Sequence, residues 1–245
     1  MIYDEILKYV EIKQKMFTVL IDPDKYDDNK LLDLSEIAKQ SRVHFFFVGG
    51  SLMTSDRLNK TIEILKSTTN IPIVIFPGSN LQVNSAADGI LFLSLISGRN
   101  PEFLIGQHVV AAPYIKKANL EVLPTGYMLI EGEQQTTANY MSNTLPIPKN
   151  KAEIAVCTAM AGEMLGFKLI YLDGGSGADG NIPVEMIHEV KENISLPLIV
   201  GGGITSAQQA HQIWENGADM IVVGNAIEND LNLVGQISSE LKSVV

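Results

Sequence analysis

The stretch LIYLDGGSGADGNIP, residues 169–183, decides the fold. It carries a literal G-x-G-x-x-G at Gly175, Gly177 and Gly180, directly after an apolar run. A dinucleotide fingerprint needs such glycines to open straight into a helix, with an acid about 20 residues on at the end of the next strand. Here Asp179, Gly180 and Asn181 keep the chain irregular, and the next helix is expected near Pro183, since proline suits a first helical position. The following apolar run, LPLIVGGGI (196–204), ends in glycines and offers no ribose-binding acid. The Rossmann reading fails, and the glycines need another explanation.

Working outward, eight short apolar runs punctuate the chain: Thr18 to Asp22, His44 to Gly50, Ile71 to Gly78, Gly89 to Leu95, Gly126 to Gly132, Lys168 to Gly175, Leu196 to Gly203 and Met220 to Asn225. Their near-continuous apolarity marks strands buried on both faces, hence a parallel sheet. Helical periodicity fills most of the gaps, as in KLLDLSEIAKQ, SDRLNKTIEILKS, AEIAVCTAMAGEMLG, VEMIHEVKENI and SAQQAHQIWENG. Eight strand–helix units in 245 residues predict a single-domain α/β fold, a (β/α)8 TIM barrel over 1–245. SNLQVNSAA, between the third and fourth strands, is too short for a full helix, so an irregular or partial element is expected there. GEQQTTANYMSNTLPIPKN, after the fifth strand, reads as a long loop over the active face.

The totals narrow the function. A net charge of −10 with no Lys/Arg cluster argues against a general nucleic-acid binder. An anionic ligand would have to find its positive potential in backbone N–H groups or a metal. The single cysteine, Cys157, excludes an intrachain disulfide and suits a reducing cytoplasm. It is expected to be a packed small residue rather than a nucleophile. The amphipathic N-terminus lacks a signal-peptide pattern, and no run approaches the roughly 18 apolar residues of a membrane span.

In a barrel the active face lies at the C-terminal ends of the strands. Those ends read Asp22-Pro23-Asp24, Gly49-Gly50-Ser51, Pro77-Gly78-Ser79, Glu131-Gly132, Asp173-Gly174-Gly175-Ser176-Gly177, Gly201-Gly202-Gly203 and Gly224-Asn225. Glycine lets backbone approach a ligand and aim N–H groups at it. One such loop can equally be a tight corner, but three adjacent ones, on strands six to eight, describe a phosphate cradle. Asp22 and Asp24 flank Pro23 at the first strand's end. They either hold magnesium, which takes one or two carboxylates plus phosphate and water, or shape a turn. Ser51 on the next strand can supply a second hard oxygen. His44, His108, His188 and His211 have no metal-ligand spacing, and Trp214 reads as helix-to-sheet packing.

An ordered set of motifs, LIDPDK, FVGGS, FPGS, SGRNPEFLIGQHV, PTGYMLIEG, PIPKNK, MAGEMLG, YLDGGSGADGNIP, PLIVGGGI and GADMIVVGNAIE, resembles the geranylgeranylglyceryl phosphate synthase family, archaeal-type prenyltransferases on a TIM barrel. It runs from Thr18 to Glu228. The resemblance implies a magnesium-dependent enzyme of ether-lipid (phospholipid) biosynthesis that joins sn-glycerol 1-phosphate to a polyprenyl diphosphate, geranylgeranyl by expectation, with release of diphosphate. It implies Asp22 and Ser51 as Mg2+ ligands. It implies Tyr171, Leu172, Asp173, Gly174, Gly175, Ser176, Gly177, Gly202, Gly203, Gly224 and Asn225 as the glycerol phosphate site. A homo-oligomer is expected. The sequence departs from the family pattern at Asp173, where a glutamate is expected. A short bacterial branch often carries lysine at the position of Leu20, so this chain resembles the larger archaeal-type enzymes.

The implied chemistry suits the residues. An allylic carbon that gains carbocation character needs no protein nucleophile, and Asp173 is the candidate to orient or deprotonate the attacking hydroxyl, with Tyr171 beside it. A prenyl tail needs an apolar trough, for which a missing helix after the third strand leaves room. Two other readings use the same glycine loops: an isomerase or synthase acting on a phosphorylated metabolite, and a non-catalytic barrel that binds one.

Overall fold

In the computed structural model, which describes residues 1–132, 134–175 and 180–241, eight parallel strands close into a barrel in chain order. They are β1 (Met16–Ile21), β2 (Phe45–Val48), β3 (Ile73–Ile75), β4 (Gly89–Leu95), β5 (Glu121–Leu129), β6 (Leu169–Asp173), β7 (Leu198–Gly201) and β8 (Met220–Val223). β1 closes the ring on β8 with Met16 opposite Met220. All eight predicted strands are present, although β3 is shorter than its apolar run and β5 starts earlier than its own.

Alternation along each strand builds two cores. Inward residues such as Met16, Phe45, Phe47, Leu91, Tyr127, Tyr171 and Val222 fill the barrel. Outward ones such as Phe17, Val19, Ile170 and Leu172 meet the helices. The helices are α1 (Ile2–Glu11), α2 (Asp28–Gln40), α3 (Leu58–Thr68), α4 (Gln107–Ala118), α5 (Thr137–Ser142), α6 (Ala152–Met164), α7 (Val184–Glu192), α8 (Ala207–Glu215), α9 (Asn225–Asn229) and α10 (Asn232–Glu240). Asp27, Thr136 and Ser206 cap α2, α5 and α8 by accepting backbone N–H groups, which satisfies donors a helix start leaves free. Trp214 is fully buried, and its indole N–H donates to the Met16 carbonyl at 3.2 Å, so it does pack helix to sheet.

α1 joins the barrel-filling core. Ile2 and Ile6 join the inward residues, and the Ile2 and Tyr3 N–H groups donate to the Glu121 carboxylate at 2.5 and 2.9 Å. No helix stands between β3 and β4, as the shortness of SNLQVNSAA predicts. The loop after β5 contains the short α5 and a parallel bridge from Ile130 to Ile147. Cys157 corrects the sequence reading: it is exposed on α6, whose buried face is Ala155, Ala159 and Gly162.

Candidate active site

The strand ends converge as predicted. Asp22 follows β1 in inward parity, and Ser51 follows β2 in the same parity. A Cβ built on Gly50, next to Ser51, would stand 3.4 Å from the Asp22 carboxylate. Thus Asp22 and the loop that carries Ser51 are neighbours at the barrel mouth. Burial pushes the Asp22 carboxyl above the ordinary carboxylate range, a bond from the Asp24 N–H opposes this, the Asp24 charge adds to it and Lys25 offsets it. Glu228 on α9 is also pushed up, first by burial and then by Asp22. These crowded carboxylates suit a hard divalent cation. Among the described residues no group of three or more His, Cys, Asp or Glu gathers, so a magnesium ion here would rely on substrate phosphate and water for its remaining ligands.

Asp24 is otherwise employed. Its carboxylate accepts from the Thr54 N–H at 2.6 Å, from the Thr54 hydroxyl at 2.9 Å and from the Ser55 N–H and hydroxyl. It clamps the loop after β2 to the loop after β1.

Asp173 ends β6, pointing inward and buried. One carboxylate oxygen accepts the Gly175 N–H at 2.7 Å, and the other accepts the Tyr127 hydroxyl in a very short bond. Burial pushes the Asp173 carboxyl above the ordinary carboxylate range, and the bonds from Tyr127 and Gly175 pull it partly back. Tyr171 also points inward. Its ring stacks on Phe76 at 5.7 Å and meets Tyr127 edge-on at 5.4 Å. With Phe47 these rings form an aromatic floor under the mouth. Gly201 makes room for it: a Cβ there would lie 2.4 Å from the Tyr171 hydroxyl oxygen.

Gly202 and Gly203 turn with φ of +83° and +71°, which L side chains rarely adopt. A Cβ on Gly202 would meet Asp173 Oδ1 at 2.8 Å, and one on Gly203 would meet the Gly180 carbonyl at 2.2 Å. The β6 and β7 loops are therefore pressed together against the carboxylate. Gly224 and Asn225 begin α9 on the neighbouring strand end. Of the predicted set, Leu172 points outward into the helix-facing core, so only its backbone faces the site. The Gly174 N–H is committed to the Gly201 carbonyl at 3.0 Å. Ser176 and Gly177 lie outside the described residues.

An apolar trough leaves this site where the helix after β3 is missing. Its walls come from Phe76 to Asn80, Val83, the strand residues Ile90 to Leu93, Phe103 on a wide π-helical turn (Glu102–Gly106), Ala111 and Ile115 of α4, and Ala138 and Met141 of α5. It begins at Gly50 and Ser51 and passes Tyr127 and Leu129. Sequence reasoning missed Tyr127, Phe76, Gln82 and Glu228. Only the inward parity of Tyr127 with Leu129 in GYMLIEG offers a signal. His108 lines the trough, with Nε2 3.2 Å from the Ser94 hydroxyl. His44 lies near α1, its ring 4.8 Å from that of Tyr9.

The model of the PcrB family matches residues 9–242. The chain belongs to the PcrB family. A geranylgeranylglyceryl phosphate synthase of Spirosoma linguale is 48% identical over 229 residues, covering 94% of this chain and 92% of that protein. One from Methanosphaera stadtmanae is 39% identical, covering 88% of each. A solved structure of (S)-3-O-geranylgeranylglyceryl phosphate synthase from Thermoplasma acidophilum, in complex with its substrate sn-glycerol-1-phosphate, superposes with a TM-score of 0.92 at 29% identity over 98% of both chains. With these relatives, this PcrB-family chain is a geranylgeranylglyceryl phosphate synthase-like prenyltransferase. No helix among the described residues is long and apolar enough to cross a membrane.

Proposed function

We propose that this PcrB-family enzyme transfers a polyprenyl group, geranylgeranyl by preference, from its diphosphate to the 3-hydroxyl of sn-glycerol 1-phosphate, and that it depends on magnesium. One observation carries the reading: a glycine cradle pressed against a buried carboxylate opens directly into an apolar trough. A phosphorylated metabolite alone would not need the trough.

The phosphate would sit on the backbone of Gly202, Gly203 and Gly224, with Asn225 beside it; the N–H groups of Gly174 and Gly175 already serve Gly201 and Asp173. Each N–H to a charged oxygen contributes roughly 1.5–3 kcal/mol. The anchored phosphate holds the 3-hydroxyl in place, a gain from orientation. Asp173 accepts the proton of that hydroxyl as its oxygen bonds to the allylic carbon, while the bond from that carbon to diphosphate breaks with its electron pair. Asp22 and Ser51 would hold magnesium, which when bound neutralises the diphosphate as a leaving group. The tail would lie in the trough; about 0.8 kcal/mol per methylene sets a ceiling of about 16 kcal/mol for twenty carbons, cut heavily by ordering costs.

A homo-oligomer in a reducing compartment completes the proposal, and sedimentation velocity reads the assembly. The central test incubates the protein with magnesium, labelled sn-glycerol 1-phosphate and prenyl diphosphates of increasing length. Label should enter an organic extract, best with the twenty-carbon donor, and chelation should stop it until magnesium is restored. Absence of extractable label with every donor would remove the reading.

A further inference from the structure

We infer that Tyr127 is the positioning residue of Asp173, holding this chain's short carboxylate at the angle from which it serves the attacking hydroxyl. The inference rests on the prenyltransfer reading and deepens it.

Three observations meet. First, the Tyr127 hydroxyl donates to one Asp173 oxygen while the Gly175 N–H takes the other, so the carboxylate is held from both sides. Second, the tyrosine is itself fixed. Its ring meets Tyr171 at 5.4 Å and Phe76 at 6.0 Å, both edge-on, and Tyr127 stands opposite Tyr171 in the β5–β6 register. A locked ring presents its hydroxyl at one point. Third, the space around Asp173 is closed on the far side by Gly202, whose absent Cβ would be 2.8 Å from Oδ1. An aspartate reaches one methylene less far than the glutamate the family motif leads one to expect. Here a phenol from the neighbouring strand meets it.

The groups facing Asp173 are the hydroxyl of Tyr127 on β5, the ring and hydroxyl of Tyr171 on β6, and the backbone of Gly174, Gly175 and Gly202. Among the described residues no cation is one of them. The Tyr127 donor therefore supports the ionised form of Asp173 against its burial, and its loss makes the carboxylate both looser and harder to ionise.

The test is Tyr127→Phe, which keeps the ring contacts and deletes only the donor. The expected result is a fall in kcat of about ten- to a hundredfold, the size of losing a hydrogen bond to a charged group. The KM for glycerol phosphate should stay within about threefold, and the acid limb of the kcat–pH profile should move to higher pH. Replacing Tyr127 by its analogue fluorinated beside the hydroxyl, a stronger donor of nearly the same shape, should move that limb to lower pH. In the Asp173→Glu background the Phe substitution should cost less, because the longer acid no longer depends on the same reach. Opposite movements of the limb support the inference. An unchanged profile in both variants, or a loss confined to KM, overturns it. Wild-type protein in the same assay separates the two levels: no wild-type turnover defeats the prenyltransfer reading itself, whereas normal turnover with an indifferent Tyr127 defeats only this inference.

Discussion

The side-chain amide of Gln82 donates to the Gly50 carbonyl at 3.2 Å and accepts the Gly78 N–H at 3.0 Å. Gln82 sits on the segment that stands in for a helix, Gly50 precedes Ser51, and Gly78 is on the lip of the trough. One buried amide thus ties the proposed metal loop to the trough. Gln82→Leu leaves both backbone groups without these partners, a cost of about 1–3 kcal/mol for such a group. We expect a lower melting temperature and a severalfold higher magnesium concentration for half-maximal activity, with the KM for glycerol phosphate unchanged. A titration that shows the parent's magnesium requirement would break the link between loop and lip.

Asp22→Ala should separate activity from stability. Its carboxyl is pushed up by burial, so removing it relieves a half-buried charge, which offsets the lost bond from the Asp24 N–H. Turnover should fall by more than about a hundredfold, as for loss of a group that stabilises transition-state charge, while thermal stability holds or rises. Manganese binding followed by electron paramagnetic resonance should weaken in parallel. Unaltered manganese affinity would take Asp22 out of the metal site.

Gly203→Val places a branched Cβ where the Gly180 carbonyl stands 2.2 Å away, at a φ of +71° that costs an L-residue about 1–2 kcal/mol per residue. Calorimetry should show glycerol phosphate affinity reduced by more than about tenfold and prenyl diphosphate affinity within a few-fold of the parent. Equal losses for both ligands, in a protein with a native circular dichroism spectrum, would argue against a separate phosphate cradle.

His44 gives a pH prediction away from the mouth. Burial is the main cause of its depression to about 4, and the Arg42 charge adds to it; the Phe17 N–H donates to Nδ1 at 3.0 Å, a bond that only the neutral ring accepts. The unfolded chain binds this proton at a higher pH than the folded one, so stability is full above about 6.5 and is lost as pH falls toward 4. The shift corresponds to about 3 kcal/mol at most. Denaturant midpoints of wild type and His44→Gln should converge as pH drops from 7 to 4. Parallel pH curves for the two proteins would show that His44 is not the group responsible.

The strands were legible because each is buried on both faces and so reads as an uninterrupted apolar run; β3 runs shorter because Pro77 and Gly78 leave the sheet. Asp22, Ser51, Asp173 and the β7 glycines were legible because barrel topology assigns every strand end to one face. Tyr127 was not, since an inward phenol inside GYMLIEG looks like core until its partner, 46 residues away, is known. The trough was foreseen only as a gap, its walls being spread over the segment after β3, β4, β5, α4 and α5. α4 escaped notice because Pro113 interrupts it and Val109, Val110 and Tyr114 lie on its exposed side, hiding the periodicity. Cys157 was misjudged for a related reason: apolar residues occur all round α6, with Ile154 and Met164 exposed, so composition did not reveal its buried face.

The gap after β3 also bears on how the ring stays shut. β3 and β4 pair through only Val74–Gly89 and Ile75–Ile90, whereas β4 and β5 share seven aligned residues. Elsewhere an outer helix braces the seam; here a bound hydrocarbon tail would take that place, so the ligand acts as a missing piece of the architecture. Amide protons of Ile75 and Ile90 should then exchange with solvent faster than those of Leu123 or Tyr171 in the free enzyme. Occupancy of the trough should slow them, because the opening that exposes those amides also dismantles the wall on which the tail rests.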